Sequence, residues 1–281
     1  MIDFYYKNDD KKKEVERKKR RENLKLFISS IKNTFILKET YNSVIPLKTY
    51  TCWHTKELPN LMRINYERMT SSHPRFTHYL FDEKECYKFI KDNFDKDVSD
   101  AYSLLVPSSY KSDLWRYCIL YINGGIYFDI KFYCINGFKL IALTEKEIFV
   151  RDREGGTLTG LIAVKPKNET MKKCINQIVY NIKNNYYGVN CLDPTGPGLL
   201  GKYFTKQEKE EMELYFANIN IKNFVNEYVI VFNDVTILKQ YDGYRKEQIK
   251  KHYSELWNEK NIYNKNPNVY TLEDLKWDKT H

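Results

Sequence analysis

The stretch SDLWRYCILYINGGIYFDIK, residues 112–131, sets Asp113, Arg116, Asp129 and Lys131 into largely apolar sequence. Residues 110–123 read as a helix, and in projection Asp113 and Arg116 lie about 60° apart, flanked by Tyr117 and Leu120. Trp115, Ile119 and Ile122 take a second side, and Leu114, Cys118 and Tyr121 a third, so the helix is expected to be buried. A buried charge without a partner is prohibitively costly. Asp113 and Arg116 must therefore pair with each other as an internal salt bridge, or with a ligand. Gly124-Gly125 then permits a tight turn into the strand GIYFDI, whose alternation puts Tyr127, Asp129 and Lys131 on one face. In open α/β sheets the ligand crevice lies beyond the carboxyl ends of the strands. A carboxylate there suits a divalent cation bridging the phosphates of a nucleotide. Two residues past Asp129, where a second metal-binding carboxylate is expected, stands Lys131.

The elements that must carry these groups follow a simple order. IPLKTYTCW (45–53) reads as the first core strand and ELPNLMRINYERMTSS as a helix. RFTHYLF (75–81) alternates like a strand, and Asp82 caps the helix DEKECYKFIKDNF, with acidic residues in its first turn. Strand and helix alternating through short connections predict an α/β domain with a mainly parallel sheet flanked by helices. EIFVRD (147–152), TLTGLIAVKP (157–166) and EYVIVF are further strands. KNETMKKCINQIVYNIKNN is an amphipathic helix with Met171, Ile175, Ile178 and Ile182 on one side. DPTGPGLL (193–200) is a turn feeding a short helix, and YRKEQIKKHYSELWNEKNIY reads as a closing helix. The expected organisation is an N-terminal helical extension (1–40), one α/β domain (41–260) and a C-terminal tail (261–281).

Composition narrows the class. With 281 residues, 42% hydrophobic and 30% charged, the chain can build a sizeable core. Aromatic residues make up 15% of it, a share suited to stacking flat ligands as well as to filling cores. The net charge of +9 invites a polyanion partner, but much of the excess sits in KNDDKKKEVERKKRREN (7–23), where Glu and Asp interleave as on a solvated helix face. No RNA-binding motif is present, and no nucleic-acid partner is expected. The six cysteines form no CxxC pair, which points to reduced thiols and a cytoplasmic setting. No apolar run approaches the ~18 residues of a membrane span.

The stretch SDLWRYCILYINGGIYFDIK resembles the SDxxRxxxLxxxGGxYxDxD signature of DXD-sugar-binding glycosyltransferases. These form family 32, which includes yeast outer-chain mannosyltransferases, with the large clostridial glucosylating toxins as more distant relatives. PLKTYTCWHTKELP is similar to that family's opening strand and its Trp, DPTGPGLL to its TGP turn and KKHYSELW to its closing element. The likeness runs from about residue 45 to 260, and the composition looks most like versions from large DNA viruses, which implies host cytoplasm or virion. The resemblance implies a GT-A fold and retaining transfer of a hexose from a UDP- or GDP-sugar to a glycan or protein acceptor. It also implies Mn²⁺ or Mg²⁺. Carried over by position, Asp113 and Arg116 would contact the donor sugar and nearby phosphate, and Tyr127 the diphosphate. Asp129, first Asp of the DXD, would meet the ribose and the metal shell, while Trp53 would stack the base. His252 and Trp257 belong to an element that would fold over the diphosphate.

Lys131 occupies the second Asp of DXD, and three readings stand. Its ammonium replaces the cation and neutralises the leaving diphosphate. Or a metal persists, held by Asp129, His252 and the phosphates. Or the chain is a catalytically silent nucleotide-sugar-binding protein. Asp152, ending EIFVRD, could face the sugar or the acceptor, or merely cap its loop. No general base is evident, and a retaining transfer can use the leaving phosphate for that purpose.

Overall fold

The computed structural model describes residues 34–152, 155–221 and 225–264. The expected helix at 11–33 lies outside them. Chain order among the described residues is β1 (Lys48–Cys52), α1 (Asn60–Ser71), β2 (Thr77–Phe81), α2 (Glu83–Asn93), α3 (Lys96–Leu104), α4 (Ser108–Asn123), β3 (Gly125–Phe128) and β4 (Phe132–Cys134). There follow β5 (Ile148–Asp152), β6 (Thr157–Val164), α5 (Glu169–Lys183), α6 (Pro197–Leu200), α7 (Lys206–Glu210), β7 (Leu214–Ile221), β8 (Val225–Phe232), β9 (Val235–Gln240) and α8 (Tyr253–Asn258).

The α/β architecture with helices against a mixed sheet is as expected. The strands form one nine-stranded sheet in the order β2-β1-β3-β6-β5-β7-β8-β9-β4. The strand directions differ from the expected mainly parallel sheet. Only β1–β2, β1–β3 and β5–β7 are parallel; the other pairs run antiparallel. The early strands are separated by helices, which impose parallel crossovers. The later β5–β6 and β7–β8–β9 are joined as hairpins, which need no helix between strands. Among the described residues no helix is long and apolar enough to cross a membrane.

Both faces of β3 are covered. Tyr127 points into a cluster with Trp115, Tyr117 and Ile175 on the helical side, while Ile126 and Phe128 pack with Leu161, Phe138 and Leu143 on the other. That accounts for a central strand without a polar face. Local signals set the surrounding helices. Asp82 accepts from the Glu85 amide and Glu85 bonds back to the Asp82 amide, a complete capping box. In α5 the stripe Met171, Ile175, Ile178 and Ile182 is buried against α4.

The closing helix is shorter than the sequence suggests. A left-handed Gly243 introduces a single 3₁₀ turn, Tyr244–Glu247, and regular helix resumes only at α8. The intervening chain is drawn across the body instead. Glu247 accepts from the Tyr241 hydroxyl at 2.6 Å and from the Leu61 amide at 3.0 Å, and Lys250 pairs with Glu83 at 2.7 Å. Ile262 is fully buried, its carbonyl accepting from the Val106 amide, and Tyr263 bridges Leu105.

Candidate active site

Two glycines bring α4 and β3 together. Gly124 has φ +59° and Gly125 φ +106°; a Cβ on the first would lie 2.6 Å from Pro166 and on the second 2.7 Å from the Lys48 carbonyl. No side chain fits there, so the helix turns directly into the strand and its inner face meets the strand's end.

At that junction the four charged groups converge. Asp113 and Arg116 are 6% and 5% exposed and form an ion pair at 3.3 Å. Arg116 also donates to the Thr159 carbonyl at 2.8 Å and to Ser112 Oγ at 2.9 Å, and lies 4.3 Å from the centre of the Tyr127 ring. Its Nη1 is 3.6 Å from Asp129 Oδ1. The Tyr127 hydroxyl donates to Asp129 Oδ1 at 2.8 Å, and Lys131 Nζ sits 2.7 Å from Oδ2. The internal salt bridge and the converging cluster are therefore both present.

Asp129 lies just past β3, in a turn, its amide bonded to the Gly160 carbonyl at 2.9 Å. Burial raises its pKa, but Lys131 and Arg116 outweigh that and hold the carboxyl at about 2. Asp113 goes the other way. Burial pushes its pKa up against the opposing pull of Arg116 and Thr195. Burial works against the Arg116 charge, yet Tyr127, Asp113 and Asp129 around it push its pKa up. Lys131 and Asp129 keep 21% and 20% of their side chains exposed, which makes them the solvent-facing members of the cluster.

Several contributors carry no signal as isolated letters. Thr195 donates to Asp113 Oδ2 at 2.8 Å, from a turn pinned by Asn181 on the Pro194 carbonyl at 2.8 Å and Tyr110 on the Cys191 carbonyl at 2.6 Å. DPTGPGLL was legible as a turn, but not as the holder of that carboxylate. Ser112 Oγ touches Arg116, the Tyr127 hydroxyl at 3.3 Å and Cys52 Sγ at 3.0 Å. All six cysteines are free. Tyr244, from the segment crossing the body, faces Lys131 Nζ at 5.9 Å.

The remaining expected residues divide. Trp53 sits beside this cluster, linked through Tyr244, whose ring is 6.4 Å from its own; its indole N–H is buried without an acceptor. Asp152 ends β5, which lies two strands from β3 and points its carboxyl end to the same edge of the sheet. Trp257 is engaged elsewhere: its indole N–H donates to the Tyr187 carbonyl at 2.7 Å and Lys260 lies over its ring. His252 caps α8 through Nδ1, which accepts from the Ser254 amide. It is not brought to Asp129.

The atoms of the expected metal pair have other partners. The oxygens of Asp129 are taken by Lys131 and Tyr127, and His252 serves its helix. Among the described residues no group of three or more His, Cys, Asp and Glu could hold a metal ion. The donor set does not fit a divalent cation.

Residues 59–148 match the model of a glycosyltransferase sugar-binding region containing DXD motif. About a third of the chain is thus similar to that family's sugar-binding region. The sugar-binding region spans α1 to the start of β5 and so contains Asp113, Arg116, Tyr127, Asp129 and Lys131. An initiation-specific alpha-1,6-mannosyltransferase of Candida albicans is 37% identical over 59 residues, 20% of this chain and 15% of that protein. An uncharacterized glycosyltransferase of Acanthamoeba polyphaga mimivirus is 26% identical over 121 residues, 40% of this chain and 46% of that one. The chain thus spans less than half the length of the curated relatives it matches. Among solved structures, the PaToxG glycosyltransferase aligns with a TM-score of 0.45 and 16% identity, over 58% of this chain and 70% of that one.

Proposed function

We propose that this chain is a glycosyltransferase on a GT-A-like fold. It moves a hexose from a UDP- or GDP-sugar to a glycan or protein acceptor, with the anomeric configuration retained. The observation that carries the reading is the convergence of Asp113, Arg116, Tyr127, Asp129 and Lys131 at the carboxyl end of β3, inside the matched sugar-binding region. An internal ion pair alone does not require a second, partly exposed pair beside it.

The exposures assign different tasks. Arg116 is enclosed and fully bonded, so it positions Asp113 and Asp129 and lets two carboxylates coexist. Asp129 and Lys131, partly exposed, meet the donor. Trp53 and Tyr244 supply flat surfaces for a base, and the unpaired Trp53 indole N–H would find an acceptor in a base carbonyl. In the transfer, the bond from the anomeric carbon to the diphosphate breaks with its electron pair passing to the phosphate oxygen. A bond from the acceptor oxygen forms on the same face, and the acceptor proton ends on the diphosphate.

The test is turnover of UDP- and GDP-hexoses, followed as donor hydrolysis without acceptor and by proton NMR of the released anomer. At least one donor should be cleaved, the first-formed sugar should keep the donor's configuration, and Asp129→Ala should abolish cleavage. Tight donor binding with no cleavage would make the chain a nucleotide-sugar-binding protein. Absence of both would remove the reading.

A further inference from the structure

We infer that the Lys131 ammonium is the site's built-in cation, binding the diphosphate of the nucleotide sugar in place of a divalent metal. The inference rests on the proposed nucleotide-sugar reading and deepens it.

Charge balance comes first. Asp113 and Asp129 bring two negative charges, and Arg116 and Lys131 two positive ones, all joined by ion pairs of 2.7–3.6 Å. The cluster is neutral as it stands. An aspartate at position 131 would leave it at minus two, the charge that a divalent cation cancels. Lysine at this place performs that cancellation within the chain, and a dication beside it would face strong repulsion at such separations.

Geometry is the second part. Lys131 sits in a turn fixed on both sides, because Asn65 Nδ2 donates to the Ile130 carbonyl at 2.8 Å and to the Phe132 carbonyl at 3.2 Å. The Lys131 carbonyl itself accepts from the Tyr241 amide at 3.0 Å. Its ammonium is held by Asp129 and stands 5.1 Å from the Phe132 ring and 5.9 Å from the Tyr244 ring. An ammonium has three donors, and one is used on Asp129. The side chain remains partly open to solvent, so the others can meet phosphate oxygens. A surface lysine would need no such mounting. As the glycosidic bond breaks, the growing charge on the leaving diphosphate meets a fixed ammonium.

Calorimetric titration of UDP and of GDP into the full chain, in EDTA and in Mn²⁺, separates the alternatives. The native chain should bind one of them equally well in both conditions. Lys131→Met should weaken binding roughly 10- to 100-fold in both. Lys131→Asp should lose affinity in EDTA and regain it with Mn²⁺, while its melting temperature shows that it still folds. Binding by the native chain that vanishes in EDTA and returns with Mn²⁺ overturns the inference but leaves the nucleotide-sugar reading intact. So does undiminished binding by Lys131→Met. Binding of neither diphosphate in any condition removes both. Should Lys131→Met fail to fold, the EDTA comparison on the native chain decides.

Discussion

An alanine at position 160 would set its methyl carbon 2.8 Å from Oδ2 of Asp129, 3.1 Å from Cε2 of Phe132 and 3.2 Å from Cγ of Asp129. The first contact is closer than carbon and oxygen pack by roughly half an ångström. Gly160 is not among the positive-φ glycines, so its backbone accepts alanine without strain. In a strand the exchange is worth about 0.5–1 kcal/mol in favour of alanine, against about 1–3 kcal/mol for overpacking. Net destabilisation should therefore be modest, about 0–2.5 kcal/mol. The site should suffer more. Relieving the clash moves the Asp129 carboxylate away from Lys131 at 2.7 Å or from Tyr127 at 2.8 Å. Each such bond to an ionised group is worth about 1.5–3 kcal/mol, so diphosphate affinity should fall roughly tenfold or more. Parallel melting curves and calorimetric titrations with UDP and GDP measure the two effects separately. Gly201→Ala is the control. It sits in a helical turn with Thr157 Oγ1 at an ordinary 3.4 Å, and should gain about 0.5–1 kcal/mol with binding unchanged. Native stability and native affinity in Gly160→Ala would show that this close approach does not hold Asp129.

Arg116→Leu should remove about 3–5 kcal/mol at neutral pH by leaving the buried Asp113 without its cationic partner and Asp129 with Lys131 alone. The deficit should shrink as acid protonates Asp113 and Asp129, which urea titrations across pH 3 to 7 would show; a pH-independent loss would contradict the charge argument. Glu83, held at about 2 because Lys111 and Lys250 outweigh its burial, has a folded pKa below its ordinary 4.5. Its contribution is fully present above that ordinary value and is lost as pH falls through about 2, so Glu83→Gln should cost roughly 2–3 kcal/mol at pH 7 and little near pH 2. Equal losses at both pH values would mean that the ion pairs are not the cause.

The chemistry-bearing segment was legible because its signals are local. Asp113 and Arg116 stand one turn apart on a helix with no polar face, and the two glycines announce the bend that aims them at Asp129. The Asp82–Glu85 capping box and the Met171–Ile182 stripe are equally short-range. What escaped depends on distant partners. Thr195 meets Asp113 across 82 positions, and Thr159 reaches it across 46. The short strand β4 exists because its residues pair with β9 more than a hundred positions later. α3 was missed because its buried positions, Val98, Ser99, Ala101 and Tyr102, include few strongly apolar side chains. The closing helix is shorter than its local pattern suggests because contacts to Leu61 and Glu83 outweigh local helical preference between Gly243 and His252.

The segment that crosses the body also fixes when this site can be complete. Its acidic and basic floor is complete once the ribosome has passed β6, but Tyr244 and Tyr253 arrive close to the end of the described chain. Burial, with smaller contributions from Cys191, Asp113 and Asp129, pushes the Tyr253 hydroxyl up to about 12. The bridge from Tyr263 back to Leu105 closes a very long loop, a slow event in any fold. A nascent chain therefore carries an open, unwalled floor until residues 244 to 263 have emerged and settled across it.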